Sequence, residues 1–145
     1  MRRDNPPTMP KESTTPDLVE LAQRLTDAGN ARDIDAAMNL VASDIVWEGV
    51  MQTMEGRAAL RGFLQESLDI YDELEVAAEE IRDLGNGVTF GVFIQRGRPR
   101  GSTGWVQYRR GAVDTWVDGL LRRHTVYLDI DEASAAAERL AEERG

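Results

Sequence analysis

The chain has 145 residues, the usual size of one domain, and its 41% hydrophobic and 30% charged residues suit a folded core rather than wholesale disorder. It holds no cysteine and one histidine, His124, which excludes disulfides, thiolate chemistry and multi-histidine metal sites, so no metal or other cofactor is expected. A net charge of −9 argues against a nucleic-acid partner, and no run nears the roughly 18 apolar residues of a bilayer span; no membrane partner is expected, and a cytoplasmic location is.

Four of the five prolines are Pro6, Pro7, Pro10 and Pro16. Residues 1–14 have no apolar periodicity and read as a disordered N-terminal tail, with no apolar stretch after Arg2 and Arg3 to make a secretory signal. The single folded domain is then 15–145. Thr15 is the expected N-cap of a first helix, with Pro16 in its first turn and Leu18, Leu21, Ala22 and Leu25 on one stripe; Gly29-Asn30 stops it. Asp33 caps a short second helix. Residues 44–50 are β-branched and aromatic and read as a strand, followed by a loop over 51–55. Leu60, Phe63, Leu64, Leu68 and Tyr71 mark a third helix, in which Gly62 suggests a close backbone contact.

The rest reads as β structure. Strands are expected at 75–83, 88–95 and 102–117, with Gly104 and Gly111 as bulges or bends, and a last strand ends at Asp129. Val117-Asp118-Gly119-Leu120 is a two-residue hairpin signal. Asp131 is the expected cap of a final helix. Segregated helices and consecutive antiparallel strands predict an α+β fold whose long bulged sheet curves around a tapered cavity.

The element order, Ala42-Ser43-Asp44-Ile45-Val46-Trp47, the helix start Glu55-Gly56-Arg57-Ala58-Ala59-Leu60, and Val117-Asp118-Gly119-Leu120 with Val126-Tyr127-Leu128-Asp129 resemble the SnoaL-like branch of the nuclear transport factor 2-like superfamily over roughly residues 17–140. The resemblance implies a cone-shaped curved antiparallel sheet with helices on its concave face, enclosing one pocket. It also implies a small-molecule ligand and a homodimer. Members include ketosteroid isomerase, scytalone dehydratase, limonene epoxide hydrolase and polyketide cyclases, beside proteins that only bind or scaffold, so function rests on the site.

Strict alternation puts Leu120, Arg122, His124, Val126 and Leu128 on one face of the last strand, with Val113 opposite His124 and Thr115 opposite Arg122. His124 is the group able to exchange protons near neutral pH, and Arg122 would stabilise an anion beside it. The cyclases carry a His-x-Asp pair on this strand; His124 matches its first position, and Val126 occupies the second. Ketosteroid isomerase places a base at the end of the first strand, where this chain has Trp47 and Glu48; its first-helix tyrosine has no counterpart among Leu18, Leu21 and Leu25. The hydrolase's Asp-Arg-Asp set is imitated incompletely by Arg122 or Arg109 with Glu48.

The candidate catalytic residues are thus His124, Glu48 and Arg122. Trp47, Trp105, Val126, Leu128 and Met54 are the candidate ligand-binding residues, with Trp116 and Met51 as further apolar wall. Two readings stand open: a cofactor-free isomerase, cyclase or hydrolase acting on an apolar or carbonyl-containing metabolite, or a non-catalytic binding or dimeric scaffold module. Acidic residues 72–83 and the arginines Arg96, Arg98, Arg100, Arg109, Arg110, Arg122 and Arg123 are segregated in sequence, which suits two faces of a self-association or a grip on an anion. Arg110, Thr125 and Tyr127 are the expected dimer contact.

Overall fold

The computed structural model describes residues 16–145, so the tail expected over 1–14 and the cap expected at Thr15 lie outside the described residues. Asp17 caps the first helix, α1 (Leu18–Asn30), accepting a hydrogen bond from the Glu20 amide at 3.2 Å. A short α2 (Ile34–Met38) follows, capped by Asp33 as its sequence predicts. Strand β1 (Val41–Glu48) starts three residues earlier than its β-branched core suggested, and β2 (Thr53–Glu55) lies within the expected loop. Then come α3 (Arg57–Asp69), β3 (Tyr71–Gly85), β4 (Val88–Pro99), β5 (Val106–Val117), β6 (Leu120–Tyr127) and α4 (Ile130–Arg144). The cap of α4 is Asp129 rather than Asp131. The Asp118-Gly119 turn has both residues at positive φ, 55° and 78°, as a tight hairpin between twisted strands requires.

The six strands form one curved, unclosed sheet in the order β2-β1-β6-β5-β4-β3, antiparallel except for β1 beside β6. Register shifts along β3, at Tyr71/Glu73, Ala78/Glu80 and Asp83/Gly85, supply the extra residues that bend such a sheet. Helices α1, α2 and α3 cover the concave face, where Val41, Ile45, Leu60, Trp116 and Leu121 are fully or almost fully buried among them. The fourth helix does not join them. It packs Ala133, Ala137 and Ala141 on Val88, Phe90, Val92 and Val113, strand positions that alternate to the other face. A Cβ on Gly111 would stand 2.6 Å from that of Ala133, so the glycine is what lets α4 approach β5. Around Gly62, by contrast, nothing among the described residues lies within 4 Å of the place a Cβ would take, and no close contact there explains that glycine.

The three residues expected at a dimer contact do not share one face of the sheet. Tyr127 packs beneath α4, the Thr125 hydroxyl donates to Glu48 at 2.9 Å, and Arg110 belongs to the concave side. The segregated charges meet one another within the chain. Arg98 pairs with Asp72 and Glu73 at 3.3 and 3.0 Å, and Arg109 with Glu79 at 2.8 Å, because β3 and β4 pair and β5 lies next to β4.

Candidate active site

The concave face and its helices line a partly open cavity of ≈ 440 Å³. Its walls are mostly apolar: Leu25, Ala37, Phe63, Leu64 and Leu68 from the helices, Trp47, Phe93 and Val126 from the sheet. Val50, Met51 and Ile70 stand exposed at its rim. A tight turn, in which the Gly49 amide donates to the Gln52 carbonyl at 2.9 Å, pushes Val50 and Met51 outward there.

His124 and Asp114 face each other across β6 and β5, and both are more than 90% buried. Nδ1 of His124 lies 2.6 Å from Oδ1 of Asp114. A carboxylate only accepts, so Nδ1 carries a proton, and in the neutral imidazole it is then Nε2 that presents a lone pair. Nε2 is itself buried and has no hydrogen-bond partner among the described residues. Trp47, paired with His124 through the parallel β1–β6 ladder, lays its ring on the imidazole with centroids 3.9 Å apart and planes at 30°. The histidine is thereby fixed on two sides: Asp114 sets the tautomer, and Trp47 sets the ring plane.

Arg110 lines the same cavity from β5, four residues before Asp114 and hence on the same face. Its guanidinium lies 5.4 Å from the centre of the Phe93 ring, and its Nη1 is buried without a partner among the described residues. Burial pushes its pKa down, against the smaller opposing pull of Tyr108 and Asp114.

Of the residues singled out from sequence, His124, Trp47, Val126 and Met51 line this cavity. Glu48 does not. It alternates away from Trp47, accepts hydrogen bonds from Thr125 at 2.9 Å and Arg123 at 3.2 Å, and lies outside the wall. Partial burial raises its pKa, but the Thr125 and Arg123 hydrogen bonds and the Arg123 charge together outweigh burial and hold the carboxyl below its ordinary value. Arg122 points outward to Asp44 at 3.0 Å. Leu128 is 58% exposed just beyond β6, and Met54 is buried on β2 without reaching the cavity. Trp105 lies under the Arg96 guanidinium, 3.8 Å from its ring centre, at a separate shallow recess. Trp116 is core, its indole donating to the Thr89 hydroxyl at 3.0 Å. Arg98 is held by two carboxylates, whereas Arg96 stacks on Trp105.

A family model described as the SnoaL-like domain matches residues 22–124, most of the described fold and its cavity wall up to the histidine. The chain belongs to the SnoaL-like domain family. No curated protein sequence matches it. Among solved structures, this SnoaL-like domain is similar to a protein of ketosteroid isomerase-like fold from Catenulispora acidiphila, solved with trimethylamine (TM-score 0.70, 13% identity, 81% of this chain and 92% of that one). It also resembles a putative polyketide cyclase from Xanthomonas campestris (0.63, 23%, 83% and 95%). A third is an epoxide hydrolase of the LEH-like type from M. tuberculosis (0.67, 16%, 83% and 89%). At these identities the likeness is one of fold.

Sequence reasoning missed Asp114 and Arg110 in this SnoaL-like domain, for one physical reason each. A bulge at Arg122 puts two residues, Arg122 and Arg123, where alternation allows one, so Thr115 pairs with Arg123 while Trp116 pairs with Leu121. That shift brings Asp114, not Val113, opposite His124 and turns Arg122 outward. Two successive arginines between Leu121 and His124 were the visible sign, as was a lone carboxylate within Ala112-Val113-Asp114-Thr115-Trp116. Arg110 carries no such sign, because its neighbour Arg109 looks identical and only the strand's phase separates them.

Proposed function

We propose that this domain binds a small, planar, largely apolar molecule bearing a carbonyl and moves a proton on it with its own side chains. The observation that carries this is the buried Nε2 of His124, without a partner among the described residues, on a ring whose Nδ1–H is turned to Asp114 at 2.6 Å. A buried polar atom left unpaired costs about 1–3 kcal/mol, which a ligand hydrogen bond would recover. As a base, Nε2 would take a proton from carbon or oxygen next to the carbonyl, and Asp114 would stabilise the imidazolium so formed. Trp47 offers a flat face to the ligand. The neighbours whose names speak of polyketide cyclase and epoxide hydrolase support proton-transfer chemistry in such a cavity.

The second reading, binding without catalysis, draws on the wall. Besides Asp114, the described lining contains one other carboxylate, Asp33, which is spent on capping α2. The test is hydrogen–deuterium exchange at the α-carbons of 2-tetralone in D₂O, followed by NMR. The wild-type protein is expected to accelerate exchange over buffer, and His124→Gln to abolish the acceleration while still binding the ketone. Binding without any acceleration by the wild type would overturn the catalytic reading in favour of the second. Absence of binding would end both.

A further inference from the structure

Arg110 is the charged group that the proposed acid–base pair does not use. Its Nη1 is buried, it faces the cavity, and no carboxylate among the described residues forms an ion pair with it. Asp114, the nearest candidate along β5, is committed to His124. Four other arginines of this sheet behave differently: Arg98, Arg109, Arg122 and Arg123 each hold an acid within 3.3 Å. A guanidinium stays protonated in proteins, so its burial in an apolar wall is unfavourable until an anion reaches it. Phe93, its cross-strand partner, supports the cation from one side.

We infer that the cavity takes an anionic ligand, a planar apolar carboxylic acid whose carboxylate is forked on Arg110. The inference rests on the proposed function and narrows its substrate class. A planar guanidinium matches a carboxylate through two parallel hydrogen bonds. A phosphate would call for more positive charge than the wall offers. The other lining cation, Arg32, is spent on the carbonyls of Leu68 and Tyr71 at 3.1 and 3.2 Å. Four residues of extended strand, about 13 Å, separate the Cα atoms of Arg110 and Asp114. An acid anchored at the first thus extends its skeleton along Val126 and Trp47 toward His124.

The experiment is calorimetric titration at pH 7 with 2-naphthoate and with 2-naphthamide, which share a bicyclic ring and differ in charge. The wild type is expected to bind the acid at least tenfold more tightly than the amide. Arg110→Gln and Arg110→Met should bring the two within about twofold while amide binding persists, and Arg110→Lys should keep part of the preference. Without ligand, Arg110→Met should melt no lower than the wild type, since it removes a partly buried cation that has no ion-pair partner among the described residues. A preference that survives in Arg110→Gln, or a wild type that binds both equally, overturns the anion site and leaves the cavity reading standing. So does a loss of several degrees in Arg110→Met, which would make the arginine structural. Failure of both compounds to bind at millimolar concentration overturns the cavity reading with it.

Discussion

Asp114 of β5 lies 2.6 Å from Nδ1 of His124 on β6, so the acid that the family's His-x-Asp spacing would put at Val126 comes instead from the neighbouring strand. The geometry differs in kind. An acid two residues along the same strand would stand beside the histidine in the cavity wall, as a separate proton carrier. Asp114 stands behind it and, in the proposed mechanism, acts through it. Asp114→Asn tests this role. An amide can donate to Nδ1 as well as accept from it, and donation would move the imidazole proton to Nε2, turning a base into a donor. Asp114→Asn is expected to fold and to bind 2-tetralone, yet to lower its exchange rate by roughly 10²–10⁴-fold, the range of general base catalysis. Exchange at the wild-type rate in this variant would remove Asp114 from the mechanism.

The order of elements was legible because it is written in local chemistry: apolar stripes at helical spacing, the Asp118-Gly119 turn, and Asp33 before α2. His124, Trp47 and Val126 were legible as cavity residues because the resemblance fixes which strands form the wall. What stayed hidden depends on phase. One bulged residue at Arg122 inverts the faces of β6 between Leu121 and His124, and no local preference of Arg122 or Arg123 says which of them is the extra one. The side of the sheet taken by α4 was hidden too, since an alanine stripe packs equally well on either face. Gly111 decides it, by admitting Ala133 at a distance that a side chain would forbid.

Gly62 has no such task. It sits inside α3 with open space where a Cβ would go and without a positive φ. Gly62→Ala should therefore raise stability by about 0.5–1 kcal/mol, mostly by narrowing the unfolded ensemble. Thermal melts would register an increase of a few degrees. A decrease would mean that the exposed face of α3 is occupied in solution.

We propose that two copies of the chain associate through the far end of β5. The last β5–β6 pair is Gly111 with Tyr127, so Val106–Arg110 runs on past β6 with that edge unpaired among the described strands. Val106 and Tyr108 there are 53% and 40% exposed. An apolar strand edge of this kind favours pairing with a second copy. Light scattering at high micromolar concentration should give about twice the 16.1 kDa of the chain, and Val106→Lys should return it to the monomer. A monomeric wild type would retire the proposal.

Glu48 is the residue on which stability and chemistry separate. Its carboxyl is held below the ordinary value of 4.5 in the folded chain, because the hydrogen bonds from Thr125 and Arg123 outweigh the cost of partial burial. A carboxyl that is more acidic folded than unfolded stabilises the fold above the unfolded value, and this contribution is lost as pH falls through the folded one. Glu48→Gln should thus lower the melting temperature at pH 7, and the gap between variant and wild type should close as pH drops below 4.5. The side chain is 34% exposed, so solvent screening keeps the effect near or below about 1 kcal/mol. Because Glu48 lies outside the cavity wall, the variant should still accelerate α-carbon exchange of 2-tetralone. If exchange instead vanished while the fold survived, Glu48 would have to reach the ligand, and the base would no longer be His124 alone.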